Sequence, residues 1–272
     1  QITRGEYLAN HVTLCMDCHS TRDWDIYSAP MMPGTEGKGG DVFPEEAGFP
    51  GTYYAPNITP SALSGWSDAE LYRAIASGQT KHDEALFPLM PYLSYSTLDV
   101  EDAKAIIAYL KALKPIENDV PRSKPTFPFS LIMKTIPTKA QPIQRPEISD
   151  SIAYGKYITT IAACADCHTP MEKGQPIEHL TFAGGMEFTL PNGKKVISAN
   201  ITPDKEFGIG ALNKNDFIKM FKFYENNNSL RVNEGEFNTI MPWVMYAGMT
   251  ENDLGAIYTY LRTVTPIKYN SE

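Results

Sequence analysis

Two five-residue stretches of this sequence carry residue types and a spacing that fit one particular chemistry. The pattern C-x-x-C-H occurs twice, at Cys15, Cys18 and His19 and again at Cys164, Cys167 and His168. Two thiols on one helical turn can add to the two vinyl groups of a haem, and the adjacent histidine then reaches the iron as proximal ligand. A zinc site or a thioredoxin-like redox pair also uses C-x-x-C, but neither requires histidine directly after the second cysteine. Because the two copies use all four cysteines of the chain, we predict two covalently bound haem c groups.

Length and composition set limits on the classes of protein that this chain can belong to. With 272 residues it is long enough for two ordinary domains, which fits one haem in each. No run of eighteen apolar residues occurs, so the sequence predicts no membrane span. The formal charge of -8, to which haem propionates would add, argues against nucleic acid as a partner.

The cysteine pattern also bears on where the protein works. In bacteria, haem is attached to C-x-x-C-H outside the cytoplasm, so we expect a periplasmic protein. The sequence starts at Gln1 without a signal peptide, and we expect that a leader, and any anchor with it, has been removed. Because every cysteine is assigned to haem, no structural disulfide is expected even in an oxidising compartment.

The two halves of the chain repeat the same blocks in the same order. The run Asn-Ile-Thr-Pro begins at Asn57 and again at Asn200, and residues 90–116 align without a gap to the second half at an offset of 151. Each aligned block contains a Met-Pro pair and then an amphipathic helix, which we expect to start at Asp99 and at Thr250. A shorter helix before the first block is predicted to start at the capping box of Ser67.

Glycine and proline accumulate after each histidine, so loops are expected to cover the haem edge. In the second half, Asn192-Gly193 lies between two β-prone runs and predicts a hairpin. The side chains of Asn57 and Asn200 are candidates to bond a haem propionate. The alternative is a structural turn in which each asparagine bonds only its own backbone.

Between the halves, seven prolines from Pro115 to Pro146 interrupt any regular element. Apolar residues at 127–133 make this segment unsuited to a free linker, so we expect it to pack over the domain junction. The predicted organisation is an N-terminal haem domain at 1–118, a proline-rich linker at 119–148 and a C-terminal haem domain at 149–272.

The order C-x-x-C-H, N-I-T-P, M-P-[YW] and a capped helix ending in A-I-x-x-Y-L resembles the haem domains of cytochrome c subunits of periplasmic alcohol and gluconate dehydrogenases. The resemblance implies an all-α fold of two tandem class I cytochrome c domains, here with a small β-hairpin in the second. It also implies a histidine and a methionine on each iron. The implied ligand pairs are His19 with Met90 and His168 with Met241.

The chain departs from that family in several places. The family usually has three haem domains and often a membrane-associating tail, whereas two C-x-x-C-H motifs occur here. The tryptophan that the family often has near its middle helix corresponds to Trp66, which we expect to bind the cofactor, but the second half has Leu212. A longer insert, residues 225–237, precedes Met241. The partner dehydrogenase is therefore not identified by the resemblance.

Other side chains remain possible ligands, because most methionines in any protein serve as core packing. The further candidates are Met31, Met32, Met186, Met245, Met249, His11, His82 and His179.

Two functions are compatible with these motifs. One is an electron relay with both irons closed, which would exchange electrons with a dehydrogenase, a terminal oxidase or a small cytochrome or cupredoxin. The other is a dihaem enzyme of peroxidase type with one open iron. The two matching Met-Pro sites favour the relay, so no catalytic residue is predicted.

Overall fold

A computed structural model of the chain describes residues 1–227, 229–233 and 235–270. The fold is mostly helical with small antiparallel sheets, and the chain forms two compact units. Unit 1 comprises Gln1–Gln144 and Ser229–Asn238, and unit 2 comprises Arg145–Asn228 and Thr239–Glu272. The haem-domain limits given above stay a prediction. Within the described ranges, no helix is long and apolar enough to cross a bilayer.

Unit 1 is built on a terminal pair of helices with shorter helices between them. Its helices are α1 (Ile2–Tyr7, continued by a π-helical turn at Leu8–Val12), α2 (Cys15–Cys18), α3 (Pro60–Leu63), α4 (Asp68–Ser77), α5 (Tyr92–Tyr95), α6 (Val100–Ala112) and α7 (Phe129–Ile132). The predicted caps are confirmed, since Ser67 forms a capping box with Glu70 and Asp99 accepts two amide hydrogen bonds at the start of α6. Helix α1 meets α6 at Gly5, where a Cβ would lie 1.8 Å from the Ala105 carbonyl oxygen. Only glycine permits that approach.

Unit 2 repeats this arrangement. Its helices are α8 (Ser151–Ile161), α9 (Cys164–His168), α10 (Lys214–Lys222), α11 (Trp243–Ala247) and α12 (Glu251–Leu261). Thr250 caps α12 as predicted, because its side chain accepts a hydrogen bond from the Asp253 amide. Helix α8 meets α12 at Gly155, where a Cβ would lie 2.0 Å from the Ala256 carbonyl oxygen. In each unit, therefore, the helix before the cysteine pair packs tightly on the C-terminal helix.

In the part of the chain that the structure describes, the strands form three small antiparallel sheets. These are β1 (Val42–Phe43), β2 (Gly51–Tyr54) and β3 (Lys124–Pro125) in that order, β4 (Met171–Glu172) with β5 (Gln175–Pro176), and β6 (Glu187–Thr189) with β7 (Lys195–Ile197). The predicted hairpin around Asn192-Gly193 is confirmed, with Phe188 opposite Val196. An all-α description with a single hairpin was incomplete, because β1–β3 and β4–β5 are also present.

The proline-rich segment contributes to unit 1. Strand β3 pairs with β2, and the ring of Phe129 lies edge-on to Phe87 with 5.7 Å between the centroids. Other apolar residues of the segment are exposed, among them Phe127 at 81%, Leu131 at 57% and Ile132 at 50%. The predicted position of this segment over the domain junction stays a prediction.

The insert of the second half supplies ten residues to unit 1. Two of them bond the loop that follows α2: the Tyr27 amide donates to the Leu230 carbonyl at 2.8 Å, and the Val232 amide donates to the Asp25 carbonyl at 2.8 Å. The buried Asn238 accepts a hydrogen bond from the Ser28 amide at 2.9 Å and donates to the Trp24 carbonyl at 3.1 Å. The loop of unit 1 is thus held by residues that lie about 200 positions later in the sequence.

Candidate haem sites

The two cysteine pairs lie on short helices that each follow a sharp corner. Helices α2 and α9 begin at Cys15 and Cys164, and the residue before each has a left-handed backbone, Leu14 with φ 50° and Ala163 with φ 54°. None of the four cysteines forms a disulfide. Burial raises the pKa of Cys15, and it raises the pKa of Cys164 to about 12. The spacing of each pair on one helical turn suits two thioether bonds to a haem.

The histidine of each motif is buried and oriented by one backbone carbonyl. The Nδ1 of His19 donates to the Pro56 carbonyl at 2.7 Å, and the Nδ1 of His168 donates to the Ala199 carbonyl at 2.7 Å. Burial lowers the pKa of both imidazoles, which favours the neutral form. With Nδ1 protonated, Nε2 is the nitrogen left to bind a metal. The donor set in both units therefore fits a covalently attached haem.

Asn57 and Asn200 stabilise the loops that supply those carbonyls. The Asn57 Oδ1 accepts hydrogen bonds from the amide and hydroxyl of Thr59, and its Nδ2 donates to the Ile116 carbonyl at 2.8 Å and to Ser61 Oγ at 3.3 Å. Both lone pairs and both protons of the amide are thus engaged within the protein. The geometry favours the structural turn over the propionate contact.

Asn200 repeats this arrangement in unit 2. Its Oδ1 accepts from the Thr202 amide at 2.9 Å and hydroxyl at 2.7 Å, and its Nδ2 donates to the Ile267 carbonyl at 2.8 Å and the Tyr269 carbonyl at 3.3 Å. The side chain is only 4% exposed. It joins the loop after Ala199 to the segment that follows α12, so the histidine-binding carbonyl is held from two directions.

The two methionines of the Met-Pro pairs have the same local backbone. The Tyr92 amide donates to the Met90 carbonyl at 2.7 Å, and the Trp243 amide donates to the Met241 carbonyl at 2.8 Å. The prolines between them have φ -78°, ψ 49° and φ -81°, ψ 61°, so each pair forms an inverse γ-turn that leads into a short helix. Met90 and Met241 are both half-buried.

The other candidate ligands occupy varied environments. Met245 and Met249 are buried in the core of unit 2, and Met32 is 41% exposed. His82 and His179 are exposed, and the His11 ring lies 6.0 Å from the Tyr7 ring. Among the described residues, none of these candidates repeats between the units as the Met-Pro turns do.

Trp66 follows α3 and is half-buried, with the Lys81 ammonium 5.3 Å from its ring centroid. Its counterpart Leu212 carries no ring, and the Leu212 carbonyl accepts a hydrogen bond from the Tyr258 hydroxyl at 2.8 Å. The expected contact between Trp66 and the cofactor stays a prediction.

Unit 1 has a buried charged cluster that the sequence did not indicate. The Arg22 guanidinium lies 3.5 Å from a carboxylate oxygen of the buried Asp17, between the two cysteines of α2. Burial raises the pKa of Asp17, and burial raises the pKa of the neighbouring Asp41 to about 6. In unit 2, Thr169-Pro170 follows the histidine and no arginine stands at the matching position. The two sites thus differ in their local charge.

Comparison with known proteins finds relatives of this chain among the cytochrome c subunits of dehydrogenases. It is 27% identical, over 98% of its length and 56% of the relative, to the cytochrome c subunit of an alcohol dehydrogenase (quinone) from Gluconacetobacter polyoxogenes. It is 25% identical, over 97% of its length and 59% of the relative, to the gluconate 2-dehydrogenase cytochrome c subunit of Pantoea cypripedii. The chain is a homologue of dehydrogenase cytochrome c subunits.

A diheme cytochrome c-type protein of Cereibacter sphaeroides is also similar, with 27% identity over 70% of this chain and 64% of its own length. No family model matches the chain. The chain spans little more than half the length of the dehydrogenase subunits. All three relatives are cytochromes, which supports a role in electron transfer and does not favour the peroxidase-type alternative.

Proposed function

We propose that this protein is a dihaem cytochrome c that relays electrons, one per haem, between a donor such as a dehydrogenase and a downstream acceptor. One observation carries the proposal. In both units, a pair of thiols on one helical turn precedes a buried histidine whose Nδ1 is bonded to a backbone carbonyl at 2.7 Å. A thiol pair with an oriented histidine suits one covalently attached haem in each unit. The similarity of the chain to cytochrome c subunits supports the same conclusion.

The proposed iron ligands are His19 with Met90 in unit 1 and His168 with Met241 in unit 2. A bound haem supplies one-electron redox chemistry at its iron. The protein contributes orientation, because the carbonyls of Pro56 and Ala199 hold each imidazole by Nδ1 and leave Nε2 for the metal. A neutral thioether favours ferrous over ferric iron relative to imidazole, and a closed six-coordinate site changes little between oxidation states. Both properties suit a relay.

Two tandem class I cytochrome c domains, at 1–118 and 149–272 with the segment 119–148 between them, are the proposed architecture. The matching order of helices supports it, since α1 with α6 and α8 with α12 pack at glycines in the same way. The proposed location is the periplasm, where C-x-x-C-H motifs receive haem. A dehydrogenase is the proposed donor, because two of the relatives are cytochrome c subunits of dehydrogenases. A terminal oxidase, a small cytochrome or a cupredoxin is the proposed acceptor class.

Mass spectrometry and carbon monoxide binding test this proposal together. The mass of the exported protein should exceed that of the polypeptide by two haems, and the reduced protein should bind carbon monoxide slowly at both irons. Rapid stoichiometric binding at one haem would instead support the peroxidase-type enzyme, and a single added haem would reject the dihaem assignment.

A pair of matched substitutions tests the axial ligand. Met241→Leu and Met245→Leu each replace a methionine of similar volume in unit 2, but only Met241 lies in a Met-Pro turn. We expect M241L to open one iron to carbon monoxide and to remove its share of the methionine-to-iron charge-transfer band. M245L should leave both properties unchanged, since Met245 is buried in the core at 7% exposure. The reverse result would move the ligand to Met245.

A further inference from the structure

A tyrosine in each unit joins the segment that carries the methionine to the corner that precedes the cysteines. The Tyr246 hydroxyl donates to the Ala162 carbonyl at 2.7 Å, and the Tyr95 hydroxyl donates to the Thr13 carbonyl. Thr13 and Ala162 are the C-terminal caps of the helical segments before the two cysteine pairs. Carbonyls at helix ends have no intrahelical donor, so these phenols satisfy groups that need a partner. Both tyrosines are buried, at 5% and 8% exposure.

Each corner is conformationally strained. The residue after the acceptor, Leu14 or Ala163, has a left-handed backbone that a side chain with a Cβ seldom adopts. Such conformations persist where the surrounding contacts hold them. A buried hydrogen bond to the preceding carbonyl is one such contact. The hydroxyl of each tyrosine therefore binds the carbonyl directly before the residue that turns the chain into α2 or α9.

The tyrosine also lies at a constant distance along the chain from the methionine. Met90 and Tyr95 are five residues apart, as are Met241 and Tyr246, and a proline turn with a short helix fills each interval. On the other side of the hydrogen bond, the histidine follows the acceptor by six residues in both units. In each unit, one hydrogen bond thus connects a residue five positions after the proposed methionine ligand to a residue six positions before the proposed histidine ligand.

We propose that Tyr95 and Tyr246 are positioning residues that hold the methionine of each haem site within reach of the iron. The inference rests on the His/Met ligation proposed above. A thioether is a weak ligand on a flexible side chain, so its occupancy depends on how firmly its backbone is held. The phenol hydrogen bond restricts the methionine segment, residues 90–95 and 241–246, from moving away from the histidine side.

The hydroxyl, and not only the ring, is the feature that the two units share. Tyr92 is a second buried phenol in the methionine segment of unit 1, and its hydroxyl has no hydrogen-bond partner in the described structure. Its counterpart in unit 2 is Trp243, which has no hydroxyl. At that position, therefore, a tyrosine ring and a tryptophan ring both satisfy the packing, and no hydroxyl is shared. Five residues after the methionine, in contrast, both units place a phenol on a helix-end carbonyl.

Tyr246→Phe and Tyr258→Phe form a matched pair in unit 2. Each removes one hydroxyl that donates to a backbone carbonyl, at 2.7 Å to Ala162 and at 2.8 Å to Leu212. Only the first bond connects the methionine segment to the corner. The readouts are the rate of carbon monoxide binding to the reduced holoprotein, the methionine-to-iron charge-transfer band, and hydrogen exchange of the amides of α11.

We expect Y246F to raise the rate of carbon monoxide binding at one of the two haems roughly fivefold, because one buried hydrogen bond no longer opposes dissociation of the methionine. Exchange of the α11 amides should accelerate by a similar factor. Y258F should behave as the unmodified protein in both measurements. On an M241L background, Y246F should change the carbon monoxide rate no further, since the ligand that it positions is already absent.

Equal rates for Y246F, Y258F and the unmodified protein would overturn the positioning role and leave the proposed function intact. If M241L itself fails to open an iron, the ligand assignment is wrong and the positioning role falls with it. Should Y246F not accumulate with haem, Tyr95→Phe repeats the test in unit 1 against Tyr53→Phe, which loses a bond to the Pro50 carbonyl at 2.9 Å. A rise for Y95F alone supports the proposal, and equal rates reject it.

Discussion

Replacing Asn200 by alanine should destabilise unit 2 strongly, although its side chain forms its four hydrogen bonds with Thr202, Ile267 and Tyr269 and not with the cysteines or the histidine. The amide is 4% exposed and makes four hydrogen bonds within the protein. Its removal leaves the Thr202 amide and the Ile267 carbonyl without this partner. Each buried polar group that loses its partner costs about 1–3 kcal/mol. The expected loss of unfolding free energy is therefore about 3 kcal/mol.

Native-state hydrogen exchange measures this loss without assuming a single transition for the whole chain. A loss of about 3 kcal/mol corresponds to roughly 150-fold faster exchange of the most protected amides of α8 and α12. The helices α1 and α6 of unit 1 serve as an internal control. Asn227→Ala is the matched variant, because Asn227 makes one exposed hydrogen bond, to the Phe223 carbonyl at 2.7 Å.

Exchange in α12 of N200A that matched exchange in N227A to within about twofold, the scale of an exposed hydrogen bond, would contradict the role of Asn200. A similar acceleration in α1 and α6 would also count against it, because the four bonds of Asn200 all lie within unit 2. An intermediate value would show that water replaces part of the lost bonding.

Three further substitutions test other parts of the structure. Gly155→Ala should lower the stability of unit 2 by about 3 kcal/mol, because the new Cβ would lie 2.0 Å from the Ala256 carbonyl oxygen; an unchanged thermal midpoint would contradict this. Asn238→Ala should cost unit 1 about 2 kcal/mol by removing the hydrogen bond that the buried Ser28 amide donates to Asn238, measured by exchange in α6, while equal protection would argue against it. Burial raises the pKa of Asp41 from 3.8 to about 6, so the native state binds a proton more tightly than the unfolded state and stability should fall as pH rises from about 4 to 6. Asp41→Asn should reduce that fall in pH-dependent unfolding and leave the part that comes from Asp17, whose pKa burial also raises, whereas an unchanged slope would contradict the role of Asp41.

Local features of the fold followed from short stretches of sequence. The caps at Ser67, Asp99 and Thr250 were predictable because each depends on one side chain and an amide two or three residues ahead. The hairpin at Asn192-Gly193 was predictable for the same reason, since its turn needs only two adjacent residues. Recognition of the C-x-x-C-H motifs likewise needed five residues each.

Partners that are distant in the sequence were not predictable. From the sequence, Asn57 and Asn200 were candidates either for a propionate contact or for a structural turn, and the structure shows their Nδ2 atoms donating to the carbonyls of Ile116 and Ile267. A propionate and a backbone carbonyl can each accept a hydrogen bond from the asparagine Nδ2. Only the fold brings the carbonyl to 2.8 Å from that atom. The hydrogen bonds that join Leu230 and Asn238 to the loop after α2 were not predictable either, because about 200 residues separate the partners in the sequence.

The sequence by itself indicated the chemistry that this chain can support, because two thiols and an imidazole at fixed short intervals can be recognised without knowledge of the fold. Repetition of those intervals also indicated two equivalent sites. Only the tertiary structure decided which groups orient them: the carbonyls at Pro56 and Ala199 for the imidazoles, and the hydroxyls of Tyr95 and Tyr246 for the methionine segments. These contacts join residues 31 to 84 positions apart. Every residue has a backbone carbonyl, so the sequence does not show which carbonyl accepts a hydrogen bond from a given side chain. That choice depends on tertiary packing, which local sequence patterns do not specify.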